Sequence, residues 1–156
     1  MASKRKQPGR SRSKSPNGEK DQVLKNVLDH IQPVFLEDGA KKIGHQDLRS
    51  IVDSADELWT KFSEGETLRR FVKDAELMIA LLRDYRTGRY STPSYWSIAV
   101  IVFTMQYVLK PVDIIPDSLP VIGQLDDAMV VAHCLDMAEQ DLRAYKVWRM
   151  ADNIDP

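Results

Sequence analysis

The sequence predicts an all-α fold, a small helical bundle that closes with a C-terminal helical hairpin joined by a Pro/Asp-rich turn. Three observations predict it. Apolar residues recur at spacings of three and four in segment after segment. No run with the two-residue period of a strand reaches useful length. Serine, threonine, proline and glycine stand where helices start and stop.

Val23, Leu24, Val27, Leu28 and Ile31 have helical spacing and Pro33 follows, so a short helix is expected over residues 21–32. Asp38-Gly39 and Gly44 then read as a loop. Leu48, Ile51, Val52, Ala55, Leu58, Trp59 and Phe62 mark one face of an amphipathic helix. Ser63 and Glu66 have capping-box spacing and read as the start of the next one. That helix holds Leu68, Phe71, Val72, Ala75, Met78, Ile79, Leu82 and Tyr85, and Gly88 is its natural stop. Both helices read as core elements.

Thr92 before Pro93 reads as the cap and first residue of another helix. From Tyr90 to Leu109 there is no charged residue. A helix from Pro93 to Leu109 is about 25 Å long at 1.5 Å per residue. A membrane crossing takes about 20 mostly apolar residues. Two readings follow, a central helix buried in a soluble bundle and a helix inserted in a membrane. Ser97 and Thr104 fall on one side of it and Gln106 on the other.

The hairpin turn comes next. Asp113, Asp117, Asp126 and Asp127 alternate with the turn-defining Pro111, Pro116 and Pro120, and Gly123 precedes the last acidic pair. The final helix is expected from Gln124 toward Arg149. At 100° per residue its polar side holds Asp126, His133, Asp136, Gln140 and Arg143. Its apolar side holds Asp127, Val131, Cys134, Leu135, Ala138, Leu142 and Tyr145. Neighbouring aspartates are thus sent to different environments, and Asp127 is the one facing the core.

A buried carboxylate needs a partner or a proton. Three partners are open to Asp127. Backbone N–H groups of the turn and helix start would make the aspartates structural staples. A divalent cation shared among Asp113, Asp117, Asp126 and Asp127 would make a metal site, since hard cations take oxygen ligands. Arg83, Arg86 or Arg89 would make an ion pair. The spacing does not fit an EF-hand loop. No Ser–His–Asp set, zinc pattern, phosphate loop or dinucleotide loop is present, and no catalytic residue is assigned. His133 reads as an exposed helical histidine.

The chain has 156 residues and 43% of them are apolar, enough for one compact domain with a tail. Its net charge of −1 hides an asymmetry. Residues 1–20 hold seven basic side chains against Glu19 alone, so the rest of the chain is acidic. That arm has no large apolar residue after Met1 and is expected to be disordered. Lys4, Arg5, Lys6, Arg10, Arg12 and Lys14 suit nucleic acid or anionic lipid, or simply a solvated tail. Residues 21–80 are expected as N-terminal helices, packed as one domain with the hairpin region over 81–150. The one cysteine, Cys134, reads as a small core residue in a reducing compartment. No secretory signal is visible, so the cytoplasm, or the cytoplasmic face of the inner membrane, is expected.

Residues 81–131 resemble the YkvA-like family, a widespread bacterial domain of unknown function (domain of unknown function 1232). The likeness rests on Leu-Leu-Arg-Asp-Tyr at 81–85, Gly-Arg-Tyr at 88–90, Pro93 and the apolar helix through Tyr107. It continues with Pro111-Val-Asp-Ile-Ile-Pro-Asp and Leu119-Pro-Val-Ile-Gly-Gln-Leu-Asp-Asp. Lys110 departs from the small or polar residue usual there. The resemblance implies the helical hairpin and, for many members, membrane association. It implies no activity. Three functions compete: a non-enzymatic helical module acting on a protein partner or an anionic membrane surface, a divalent-metal protein or metal-dependent hydrolase using the Asp cluster, and a nucleic-acid binder using the arm.

Overall fold

A computed structural model describes residues 18, 19, 22, 33–110 and 120–151, with backbone only for 33, 34 and 120–126. The basic arm, except Gly18 and Glu19, and the helix expected over 21–32, except Gln22, lie outside the described residues. Among those residues every regular element is helical. α1 spans Pro33–Ala40, α2 His45–Asp53, α3 Ala55–Glu64, α4 Val72–Arg86, α5 Tyr95–Leu109, α6 Pro120–Met137 and α7 Glu139–Ala151.

The apolar helix is the axis of the bundle. α5 touches α1, α2, α3, α4 and α6. Ser97 to Val102, Thr104, Met105, Tyr107 and Val108 are all buried. Each buried Ile, Val or Met there contributes roughly 1.5–3 kcal/mol over leaving it exposed. This explains a helix that is apolar nearly all round, since neighbours cover it on every side. Two of its polar side chains have partners, while the Tyr107 hydroxyl is enclosed with none among the described residues. Thr104 donates to the Val100 carbonyl at 2.8 Å, and Gln106 donates to Asp47 of α2 at 2.9 Å. α5 has 15 residues, and no helix among the described residues is long and apolar enough to cross a membrane.

Several boundaries differ from the sequence reading, each for a local reason. Asp38-Gly39 lies inside α1, where the ring of Phe103 from α5 packs against Gly39. Only the tertiary contact explains a glycine at that helical position. The expected long helix over 48–62 is two helices that turn at Ser54, with Leu58 N–H still donating to the Ser54 carbonyl. Ser63 is no cap: it lies in α3, and α4 begins at Val72 after a short 3-10 turn at Arg69–Phe71. Gly65, in extended conformation, ends α3. Ser94 replaces Thr92 as the cap of α5, accepting from the Ser97 N–H at 3.2 Å. The last helix starts at Pro120, not Gln124, with proline in the first turn where its missing N–H costs nothing. It is interrupted at Ala138, whose N–H still donates to the Cys134 carbonyl. Gly88 does end α4, with a φ of 76° that favours glycine.

Candidate functional site

Of the predicted corner, Pro111, Asp113, Pro116 and Asp117 lie outside the described residues. Pro120, Gly123 and Asp126 sit on the first turns of α6, with side chains outside the described residues. Gly123 is therefore a helix residue. Asp127 is partly buried, with Oδ1 closed off from solvent, and it is not a free carboxylate. None of the three arginines offered as its partner pairs with it. Arg86 pairs with Asp53 of α2 at 3.2 Å, Arg89 approaches Asp84 at 4.0 Å, and Arg83 faces elsewhere. Among the described residues no three His, Cys, Asp or Glu side chains converge as metal ligands.

The face assignment along α6 and α7 agrees with the structure at most positions. Val131, Cys134, Ala138, Leu142 and Tyr145 are buried, and Asp136, Gln140 and Arg143 are exposed. His133 is the exception. It is partly buried, and its Nε2 is enclosed without a hydrogen-bond partner among the described residues. Cys134 is fully buried, with Sγ 3.9 Å from both Met78 Sδ and the Val100 carbonyl. Burial pushes its thiol up to about 12, against a smaller lowering by Thr104. A thiol so placed is not a nucleophile at neutral pH.

Another site comes from residues that the sequence did not bring together. α3, α4 and α7 border an open cavity of about 540 Å³. α4 turns Arg83 and Asp84 into it, the segment after Gly88 adds Arg89, and α7 adds Tyr145 and Arg149. Tyr145 is fully buried and donates its phenolic proton to Asp84 Oδ2 at 2.5 Å. Burial first, then the bond to Asp84 and its charge, raise the Tyr145 hydroxyl, with Arg149 and Arg89 opposing. Arg149 lies 5.5 Å over the Tyr145 ring, and Arg89 lies 6.0 Å from the centre of Trp148. Tyr90, Tyr145 and Trp148 cluster behind them with centroids 4.7–5.8 Å apart. The near wall holds Trp59, which is 45% exposed.

This arrangement can bind and orient a small charged group. It holds three guanidiniums, of which Arg89 is partnered by a carboxylate. The sequence signal was there in part. Arg83, Asp84 and Arg89 fall within the two short motifs at 81–85 and 88–90, and Tyr145 and Arg149 share a face at i, i+4. Nothing in the linear order says that α7 returns to those motifs.

Residues 97–132 match the family model described as "Protein of unknown function (DUF1232)". The chain is 27% identical over 82 residues to the "Uncharacterized membrane protein YkvA" of Bacillus subtilis (strain 168). That alignment covers 53% of this chain and 77% of the relative. No solved structure matches. The matched segment runs from α5 into α6, and it is there that this chain is similar to the DUF1232 family and to YkvA.

Proposed function

We propose that this protein is a non-enzymatic helical module that meets a membrane surface from one side, through its folded exterior. The observation that supports this most is how its apolar side chains are divided. The apolar helix α5 is enclosed by its neighbours. Large apolar side chains nevertheless stay on the outside: Trp59, Tyr95, Trp96, Val147 and Met150. Tryptophan and tyrosine favour the boundary between water and lipid, where an amphipathic ring has both phases within reach. Association by such residues is peripheral and needs no spanning helix. The relative's description as a membrane protein is in keeping with this reading.

Cell fractionation followed by an alkaline carbonate wash tests it. The expected result is a protein that sediments with membranes in neutral buffer and is released by carbonate. Retention after carbonate would mean integral insertion and overturn the proposal. Complete recovery in the soluble fraction would overturn it as well.

A further inference from the structure

We infer that the cavity between α3, α4 and α7 is a binding site for an oxyanion, a phosphate ester with a flat or aliphatic body, seated on Arg83 and Arg149. The inference does not depend on the membrane reading above. It rests on unspent charge. Arg89 has Asp84 at 4.0 Å, and Asp84 also accepts from Tyr145. Arg83 makes no hydrogen bond and no ion pair among the described residues. Arg149 contacts the Tyr145 ring and pairs with no carboxylate among the described residues. Two guanidiniums therefore border one cavity with their N–H donors uncommitted, and guanidinium is the side chain that fits phosphate in a two-pronged way.

The cavity also gives a ligand its orientation. Glu76 lies seven residues before Arg83 on the same face of α4, about 10 Å away along the helix at 1.5 Å per residue. An anion is drawn to the arginine end and repelled from the glutamate end. Asp56 adds to the acidic lining, so the formal charges of the site balance and a long polyanion gains nothing from it. A compact anion gains from local geometry. The body of the ligand would lie against Trp59, Ala55 and Ile79, an aromatic and aliphatic wall. A volume of about 540 Å³ is within the range of small-molecule sites.

The phosphate ester has two sources, a lipid headgroup or a soluble molecule, and the test separates them. Phenyl phosphate is titrated into the full chain while intrinsic tryptophan fluorescence is recorded. The same titration is made with inorganic phosphate, with Arg83→Gln, and with Arg83→Gln/Arg149→Gln. Saturable binding of phenyl phosphate is expected, tighter than that of inorganic phosphate. The double substitution should weaken it by about tenfold or more, as loss of charge-assisted hydrogen bonds does. Arg83 has no partner to lose, so Arg83→Gln should bind more weakly at an unchanged melting temperature. That single variant keeps the test valid if the double one unfolds. Flotation with vesicles containing phosphatidic acid, competed by phenyl phosphate, then assigns the source. Arginine-dependent flotation that phenyl phosphate competes away supports a lipid headgroup. Soluble binding without flotation supports a soluble ester. Absence of saturable binding, or binding that neither arginine substitution weakens, overturns the site.

Discussion

Tyr145 reaches across 61 residues to donate a 2.5 Å hydrogen bond to Asp84, joining the last helix to the end of α4. Asp84 is a hub in its own right. Its backbone carbonyl accepts from the Tyr90 N–H at 3.1 Å and from Thr87 Oγ1 at 3.2 Å. The bond thus fixes α7 to the segment that turns out of α4 and supplies Arg89.

Tyr145→Phe removes the donor and leaves the carboxylate short of one partner. The expected loss is about 1–3 kcal/mol, read from urea unfolding. Its pH dependence gives a second check. The folded state holds the phenolic proton more tightly than the unfolded chain, whose tyrosine titrates near 10.0. The bond's contribution is therefore fully present below about pH 10 and is lost as pH rises above it. The stability gap between wild type and Tyr145→Phe should hold steady up to about pH 9 and shrink as pH rises above about 10. A gap that widens over that range would contradict the sign.

Some of this fold was legible in the sequence because a single segment carries the signal. The charge-free run from Tyr90 to Leu109 reads as a buried or a lipid-facing helix, and Ile98 through Val102 are buried among its neighbours. Periodicity along α6 and α7 identified Val131, Cys134, Leu142 and Tyr145 as buried. What the sequence concealed depends on contacts between distant segments. Gly39 looked like a loop residue because the Phe103 ring that selects it is 64 positions away. The arginine cavity was hidden for the same reason, since three helices must first be packed to create it. Capping at Ser94 in place of Thr92 was ambiguous locally. The choice is reinforced by Asp141 of α7, whose Oδ2 accepts from the Ser94 hydroxyl at 3.2 Å and from its N–H at 3.3 Å.

Gly39→Ala sets two effects against each other. Replacing glycine by alanine within a helix normally gains about 1 kcal/mol. At this position the added methyl would meet the Phe103 ring, and overpacking costs about 1–3 kcal/mol. The ring is only partly buried and can give way, but it then forfeits its edge contact with Phe35 at 5.3 Å. A net loss of about 1 kcal/mol is expected, and Phe103→Leu added to Gly39→Ala should recover part of it. Thermal melts of the two variants measure this. A more stable Gly39→Ala would show that α1 and α5 are not so closely packed.

Cys134 should behave as a reporter of global opening. Complete burial and a thiol raised from 9.0 to about 12 leave almost no thiolate in the native state. Its reaction with a chromogenic disulfide reagent at neutral pH should be slow and should accelerate as urea approaches the unfolding midpoint. Because the folded value is raised, its contribution to stability is present below about 9 and fades as pH climbs toward 12. Rapid stoichiometric labelling in native buffer would place the thiol at the surface.

The two adjacent aspartates of α6 supply the sharpest test of the corner. They are 100° apart on the helix, so they cannot share an environment. Asp127 is partly enclosed and engaged, and it precedes Ala128, Val130 and Val131, which are all buried. Removing its carboxylate should strip a partner from an enclosed site at a cost of about 1–3 kcal/mol. Asp126 was assigned to the polar side, where truncation changes stability by about 0.5 kcal/mol or less. Asp127→Ala should accordingly melt several degrees below Asp126→Ala, since about 1 kcal/mol shifts the midpoint by roughly 2–8 °C in a domain of this size. Equal midpoints would show that the first turns of α6 present the pair differently. A stabilising shift of the wild type by Mg²⁺, Mn²⁺ or Ca²⁺ that Asp127→Ala abolishes would favour the shared-cation reading over the staple.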